Sequence, residues 1–249
     1  MYNNLLLFIL GVAVGFVGTF LGIGGGIIIV PVLILLYNLP PNIVVGTSLL
    51  IILLSSIVGV ALQIKSKNYN LKVAITLSIA SMPGALIGAY LVKIIYLPFL
   101  KYIISATLLS ISIYIFKKSD NKIVENEIHQ TKLNFAIAIS FLIGIISTIV
   151  GIGGGIFQIP QMIYFLNMPI VNAIPTSQLI ILLTSLSATI AHFQFQNIDF
   201  SIVLPIFLGT IPGNFIALNF SKKISSITLK KIFSILLLIA SIIIFLQKS

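Results

Sequence analysis

The chain has 249 residues, of which 59% are hydrophobic and only 7% are charged. A soluble domain carries about a quarter charged residues because its surface faces water, so this composition excludes a soluble fold. The net charge of +10 comes from lysines at the ends of apolar runs, where they control topology and contact anionic lipid headgroups; this placement argues against nucleic-acid binding. The absence of cysteine excludes disulfides and Cys-ligated metals, and no cofactor is predicted.

The first part of the chain is predicted to form five helical segments, at residues 5–21, 26–37, 43–64, 73–92 and 102–116. The second segment is about 18 Å long at 1.5 Å per residue, which is too short for a hydrocarbon core of about 30 Å. With the first segment it forms either a re-entrant hairpin or a pair of steeply packed short helices. The first segment lacks a positive n-region and has an internal counterpart, so we interpret it as a retained helix and not as a signal peptide.

The second part of the chain repeats the first. A shift of 129 residues aligns them without a gap and places the Gly-Ile-Gly-Gly-Gly sequence of residues 22–26 on residues 151–155. Such matches among Gly, Pro, Asn, Thr and Ser are hard to obtain by chance. The prediction is an all-α polytopic membrane protein of 8–10 hydrophobic segments, built from repeats at 1–120 and 121–249 with a polar linker at 117–132. The other matched pairs are Pro31 with Pro160, Asn38 with Asn167, Pro40 with Pro169, Thr47-Ser48 with Thr176-Ser177, and Pro83-Gly84 with Pro212-Gly213.

The lysines indicate how the repeats are oriented. If each repeat crosses the membrane an odd number of times, the repeats are inverted, and 11 of the 14 lysines collect on one side. The positive-inside rule makes that side cytoplasmic. We therefore expect inverted repeats in the cell (inner or plasma) membrane, with both termini outside the cytoplasm. Inverted repeats with interrupted helices are typical of transporters.

The glycine-rich segments are the strongest candidates for a binding site. Three consecutive glycines interrupt a helix and leave backbone N–H groups that, in a membrane, must bind protein, water or ligand. A new helix starts directly afterwards, so its free N–H groups and positive dipole end face the loop. This favours a pocket for a small anion that needs no basic side chain. Close helix packing explains Gly11, Gly15 and Gly18, but it explains a recurring triple glycine poorly. The candidates are Gly22, Gly24, Gly25 and Gly26, and Gly151, Gly153, Gly154 and Gly155.

Polar residues near these segments complete the candidate site. Hydroxyl groups at the start of a long helix either cap it or bind an anion, and both interpretations stay open for Thr47, Ser48, Thr176 and Ser177, which are followed by Gln178. Gln158 lies deep in an apolar stretch, where its amide binds either substrate or another helix. His192 matches Gln63 and is expected at the membrane interface, with proton coupling as the alternative. No carboxylate falls within a predicted span, so we expect no coupling ion and no metal.

These motifs resemble the sulfite exporter TauE/SafE family of membrane permeases. The resemblance rests on the glycine segment through Pro31, its copy through Pro160, and the Pro and Thr-Ser positions that follow each. It implies a permease that moves sulfite or an organosulfur anion such as a sulfonate, commonly in the export direction. An enzyme is not expected, since no base is placed to activate a serine or threonine. The alternative function is a non-transporting membrane anchor for a partner protein, and the sequence leaves a homo-oligomer open.

Overall fold

The computed structural model describes residues 3–37, 39–64, 68–92, 94, 106, 109–110, 112–113, 130–221 and 226–246. Almost all of the helix predicted at 102–116 and of the linker at 117–132 lies outside these residues. The described part is entirely helical apart from its turns. Its helices are α1 Asn4–Leu21, α2 Gly26–Tyr37, α3 Pro41–Gln63, α4 Leu71–Leu91, α5 Gln130–Val150, α6 Gly155–Phe165, α7 Ile170–Gln194, α8 Phe200–Ser221 and α9 Ser226–Leu246.

Local sequence sets where the helices begin and end. The Asn3 side chain caps α1 by accepting from the backbone N–H groups of the next turn, and the chain leaves α1 at Gly22 with φ of 70°, which glycine adopts without strain. Asn70 caps α4 in the same way. Helix α3 begins instead with Pro41, whose missing N–H costs nothing in a first turn. The predicted bounds of the first four helices are confirmed to within two residues.

Six of the described helices are long and apolar enough to cross a membrane: α1, α3, α4, α7, α8 and residues 132–150 of α5. Large apolar side chains stay exposed on their outer faces, including Ile79 at 65% and Leu204 at 61%. Exposure of such apolar faces to water is unfavourable, whereas lipid tails solvate them. The chain is therefore a multi-pass, all-α membrane protein, as predicted.

The helices on either side of each glycine loop form an antiparallel hairpin. Leu6 near the start of α1 and Leu36 near the end of α2 line one groove, so α2 runs back along α1. In the second hairpin the Gln158 side chain contacts Ser140, and the Gln161 side chain contacts Ala136. Later residues of α6 thus contact earlier residues of α5, so the two helices are antiparallel. Both short helices therefore fold back against the longer helix that precedes their glycine loop, a packing common to the two arrangements expected from the sequence.

Helices from the two halves of the chain pack against each other through glycine. A Cβ on Gly11 of α1 would overlap the carbonyl of Ile206 on α8, and one on Gly209 would overlap the carbonyl of Phe8. The same close approach joins α4 and α5 at Gly84 and its neighbours. The extensive α1–α8 and α4–α5 interfaces therefore depend on small residues. The prediction that Gly11 and Gly15 serve helix packing agrees with these contacts.

The long helices α3 and α7 lie between these two pairs and contact each other. Near one end of α3 the Asn42 amide donates to Asn197, just beyond the end of α7, at 2.9 Å. Farther along, Gly59 of α3 lies beside Gln178 in the third turn of α7. The two helices thus run antiparallel through the middle of the bundle, and their glycine-loop neighbours are brought together there.

Candidate functional site

The two glycine loops have the same backbone conformation. Gly22, Gly24 and Gly25 have φ values of 70°, 84° and 80°, and their counterparts in the second half have values of 73°, 83° and 85°. Residues with a Cβ avoid this left-handed region, so glycine is required at these positions. Residues 22–26 and 151–155 are all buried. We call these two segments together the glycine-loop junction.

The two loops touch at the junction. A Cβ on Gly26 would lie 2.7 Å from the Cα of Ile152, and one on Gly155 would lie 2.7 Å from the Cα of Ile23. Each loop therefore lies against the backbone at the start of the opposite short helix. The eight predicted glycines therefore lie together where the two loops meet.

Two isoleucines cover the junction from the long helices. Ile52 of α3 and Ile181 of α7 are matched residues of the repeat, and both are fully buried. A Cβ on Gly24 would lie 3.1 Å from Ile52 and 3.3 Å from Ile181, and one on Gly153 would lie 2.9 Å from Ile52. Each isoleucine thus contacts both loops. Sequence analysis missed them because an isoleucine in an apolar helix carries no distinguishing signal beyond its match in the repeat.

Ser48 and Ser177 bind the loops across the two halves. The Ser48 hydroxyl lies 2.8 Å from the Gly151 carbonyl and 2.8 Å from the Val45 carbonyl of its own helix. Ser177 lies 2.7 Å from the Gly22 carbonyl in the same way. The capping alternative is wrong for both, since the N-caps of α3 and α7 are prolines without a side-chain hydrogen bond.

Thr47 and Thr176 lie next to these serines but bind elsewhere. Thr47 accepts from the Asp199 N–H at 2.9 Å, and Thr176 accepts from the Asn70 N–H at 2.9 Å. Each hydroxyl fixes the loop that leads into a helix of the other half, α8 for Thr47 and α4 for Thr176. The structure therefore brings the predicted serines to the glycine loops, and it places the two threonines at the loops that lead into α4 and α8.

The glutamines near the junction differ in how well their amides are bonded. Gln178 donates to the Gly18 carbonyl at 2.6 Å. Gln161 donates to the Ala136 carbonyl and lies 3.1 Å from the Ser140 hydroxyl. The Gln158 oxygen accepts from Ser140 at 3.3 Å, but its Nε2, although buried, has no partner within the described part of the chain. Gln158 therefore has two unused N–H bonds one turn from the second glycine loop.

Backbone donors at the starts of the short helices complete the set. The Gly25 carbonyl accepts from the N–H groups of Ile28 and Ile29, and the Gly154 carbonyl serves α6 in the same way. The first N–H groups of a helix have no intrahelical acceptor. At Gly26 and Ile27, and at the equivalent Gly155 and Ile156, none of the hydrogen bonds in the described ranges satisfies them. Within the described part of the chain, the junction therefore presents unpaired N–H donors on both sides.

A buried polar network lies close to the first loop and was not predicted. Asn214 of α8 accepts from Thr19 at 2.8 Å and donates to the Ser55 carbonyl at 3.2 Å. Its counterpart under the repeat is Ala85, so the equivalent position of α4 has no amide to form such a network. His192, expected at the membrane interface, lies in the last turn of α7 and is fully buried within the protein. The mismatch of Asn214 with Ala85 under the repeat was the available signal.

Comparison with known proteins identifies the family. The sequence profile described as "Sulfite exporter TauE/SafE" matches residues 7–244. The chain is 27% identical to "Probable membrane transporter protein YunE" of Bacillus subtilis, an alignment that covers 94% of each chain. It is 30% identical to "Probable membrane transporter protein MJ0441" of Methanocaldococcus jannaschii, over 88% of this chain and 87% of that one. No solved structure matches. The chain therefore belongs to the sulfite exporter TauE/SafE family of membrane transporters.

Proposed function

We propose that this protein is a permease that exports a small oxyanion, sulfite or an organosulfonate, through the glycine-loop junction. The observation that carries the proposal is the meeting of two buried glycine loops whose helix-start N–H groups have no acceptor in the described part of the chain. Such N–H groups and the positive end of the helix dipole bind oxyanions without a basic residue. The family description names sulfite, which is an anion of this kind.

Gln158 supports the same site. Its side chain is 1% exposed, and its Nε2 has no partner among the described residues. A buried amide that lacks an acceptor is costly, and an oxyanion at the junction would supply one. The first half has Ile29 at the equivalent position. We infer that the anion binds closer to the second loop, with Gly154, Gly155 and Gln158 as its main contacts.

The helix directions support an inverted arrangement of the two repeats. Helix α1 runs parallel to α8, because Phe8 lies against Gly209 and Phe16 makes an edge-to-face contact with Phe220 farther along. Thr47 and Ser55 likewise meet positions around 199 and 214, so α3 has the same direction. Helix α7 is antiparallel to α3, and its parallel contacts with α4 extend from Asn70–Thr176 to Ser81–Thr184.

Helix α5 has the same direction as α4 and α7. It runs parallel to α4, since Ser81 lies against Gly144 and Gly88 lies against Thr148. Helix α5 therefore runs opposite to α1, its counterpart in the repeat. Together with the lysine distribution, this favours termini outside the cytoplasm and a junction near the membrane midplane.

Ile52 and Ile181 are the proposed barrier to free flow. They cover both loops with apolar surface, and an anion cannot pass such a contact without displacing it. Transport then requires α3 and α7 to move apart at these residues. The matched positions of the two isoleucines allow the same contact to open toward either side, as expected for transport between inverted repeats.

The membrane potential is the proposed driving force. An anion that leaves a negative cytoplasm gains about 2.3 kcal/mol per charge per 100 mV. The helices that the structure describes contain no acidic side chain within a span, and proton- or sodium-coupled carriers commonly use one. Transport of the anion alone, down the potential, fits this composition.

Flux measurements with the purified chain in liposomes test the proposal. Sulfite, thiosulfate, sulfate and an organosulfonate are compared under a set potential. We expect saturable, voltage-dependent flux of one sulfur anion, and equal flux with and without a proton gradient. Uphill transport driven by acidification at clamped voltage would disprove the uncoupled mechanism. If the chain alone moves none of these anions, the sulfur-anion permease is wrong, and the membrane-anchor function becomes the better interpretation.

A further inference from the structure

A second group of unpaired polar atoms lies at the far end of α7. His192 is fully buried, and its Nε2 has no hydrogen-bond partner in the described ranges. Its Nδ1 lies 3.5 Å from Nδ2 of Asn197, whose oxygen accepts from Asn42. Because Nδ2 carries hydrogens, Nδ1 is the acceptor, and the neutral ring has its hydrogen on Nε2. The Asn42–Asn197 pair thus orients an N–H donor that has no acceptor.

Thr189 adds a second group on the same helix face. It precedes His192 by three residues, so the two side chains are neighbours on the helix surface. Its hydroxyl is buried and also has no partner among the described residues. The nearest carboxylate along the chain, Asp199, is bonded to the N–H and hydroxyl of Ser201. It starts α8 and does not serve Thr189 or His192.

The repeat places open space at the equivalent position. Under the 129-residue shift, Thr189 and His192 correspond to Val60 and Gln63. These two residues line a small cavity together with Ile64, Tyr69, Pro175 and Leu179. The cavity is large enough for about one water molecule. The first half thus has a small, mostly apolar cavity beside Val60 and Gln63. At the equivalent place the second half has Thr189 and His192, whose buried donors have no partner among the described residues.

We propose that Thr189 and His192 form a second oxyanion site at the end of α7, a station between the glycine-loop junction and the outer membrane surface. Ser48, which binds the Gly151 loop, and Asn42, which holds Asn197, are six residues apart on α3, which is about 9 Å along the helix axis. The His192 N–H and the Thr189 hydroxyl bind the anion, and the Asn42–Asn197 pair holds the ring. The role of this site in transport rests on the proposed permease function. Binding of an anion at the site does not depend on that function.

Nitrogen NMR of His192 tests the binding site directly. The chain has two histidines, so His129→Asn leaves a single imidazole in the full-length protein, labelled with ¹⁵N-histidine in lipid nanodiscs. We expect the Nε2-protonated tautomer and a saturable shift of the Nε2 resonance when sulfite or sulfate is added. Thr189→Val should weaken that titration about five- to tenfold. Ser185→Ala, which removes a hydroxyl bonded to its own helix, should leave it unchanged.

Flux tests the role in transport. His192→Leu should raise the KM for anion presented on the side where α7 ends, and His192→Gln, which keeps an N–H donor, should restore most of the affinity. The proposal would be overturned if the Nε2 resonance does not shift with either anion. It would also be overturned if His192→Leu raises the KM equally for anion presented on either side of the membrane. If Nε2 responds but the protein carries no flux, the anion site stands and the permease function fails.

Discussion

The Ser177 hydroxyl donates to the Gly22 carbonyl at 2.7 Å, although the two residues belong to different halves of the chain. The matched Ser48 does the same for Gly151 at 2.8 Å. Each glycine loop is therefore held by a long helix of the other half, so that movement of α3 against α7 changes the loops directly. This link relates the fold to the proposed transport step.

Replacing these serines should weaken the junction. A hydrogen bond to a buried carbonyl contributes about 0.5–1.5 kcal/mol, so we expect Ser48→Ala and Ser177→Ala each to lower the unfolding temperature in detergent, and the double variant to lower it further. Ser78→Ala removes a buried hydroxyl that bonds only to the Ala74 carbonyl of its own helix and serves as the control. The prediction is wrong if the control loses as much stability and flux as the double variant.

The two glycine loops should differ in their tolerance of alanine. Both Gly25 and Gly154 have positive φ, so alanine strains each by about 1–2 kcal/mol. A Cβ on Gly25 would also lie 2.7 Å from a Val14 methyl group, whereas one on Gly154 would lie 3.3 Å from the Ser147 hydroxyl. Gly25→Ala should therefore destabilise the protein more than Gly154→Ala. Thermal unfolding compares them, and equal losses would contradict the contact geometry.

Gln158 and Gln161 provide a matched pair for the anion site. The Gln158 Nε2 has no partner in the described structure, so Gln158→Leu should leave thermal stability nearly unchanged and raise the KM for the transported anion about tenfold. The Gln161 amide is bonded to Ala136 and Ser140. Gln161→Leu should therefore lower stability with a smaller change in KM. The opposite pattern would remove Gln158 from the site.

Trimming the two central isoleucines should speed transport. Ile→Val in a buried site costs about 0.5–1.5 kcal/mol, which the fold should tolerate. If Ile52 and Ile181 form the barrier, the double Val variant should carry a several-fold faster flux with weaker discrimination among anions. Ile51→Val, at the neighbouring buried position of the same helix, is the control. Unchanged flux in the folded double variant would exclude the barrier role.

The proposed orientation can be measured with single cysteines, since the natural chain has none. Asn3→Cys and Gln196→Cys, both at exposed positions, should react with a membrane-impermeant maleimide added outside intact cells. Lys72→Cys and Lys132→Cys should react only after the cells are opened. Reaction of Asn3→Cys and Lys132→Cys, which are matched positions of the repeat, from the same side of the membrane would mean that the repeats are not inverted.

Helix positions could be read from the sequence because proline, asparagine and glycine mark the ends regardless of what packs around them. The predicted segment 26–37 coincides with α2, and the repeat located both loops of the site. Contacts between helices could not be read in the same way. In an apolar helix every face looks alike, so nothing in the sequence pairs Ser177 with Gly22 or assigns Asn214 to Thr19.

The pairing of α1 with α8 has a consequence for how the protein is made. Thr19 meets Asn214, a partner that lies 195 positions later in the chain. When α1 leaves the ribosome, the surface that will receive α8 has nothing to cover it, and the same holds for α4 until α5 is synthesised. Early helices must therefore wait in the bilayer or beside the insertion machinery. In a truncated first half, the glycine-lined surfaces of α1 and α4 would stay uncovered. We expect such a fragment to be degraded or to pair with another copy of itself.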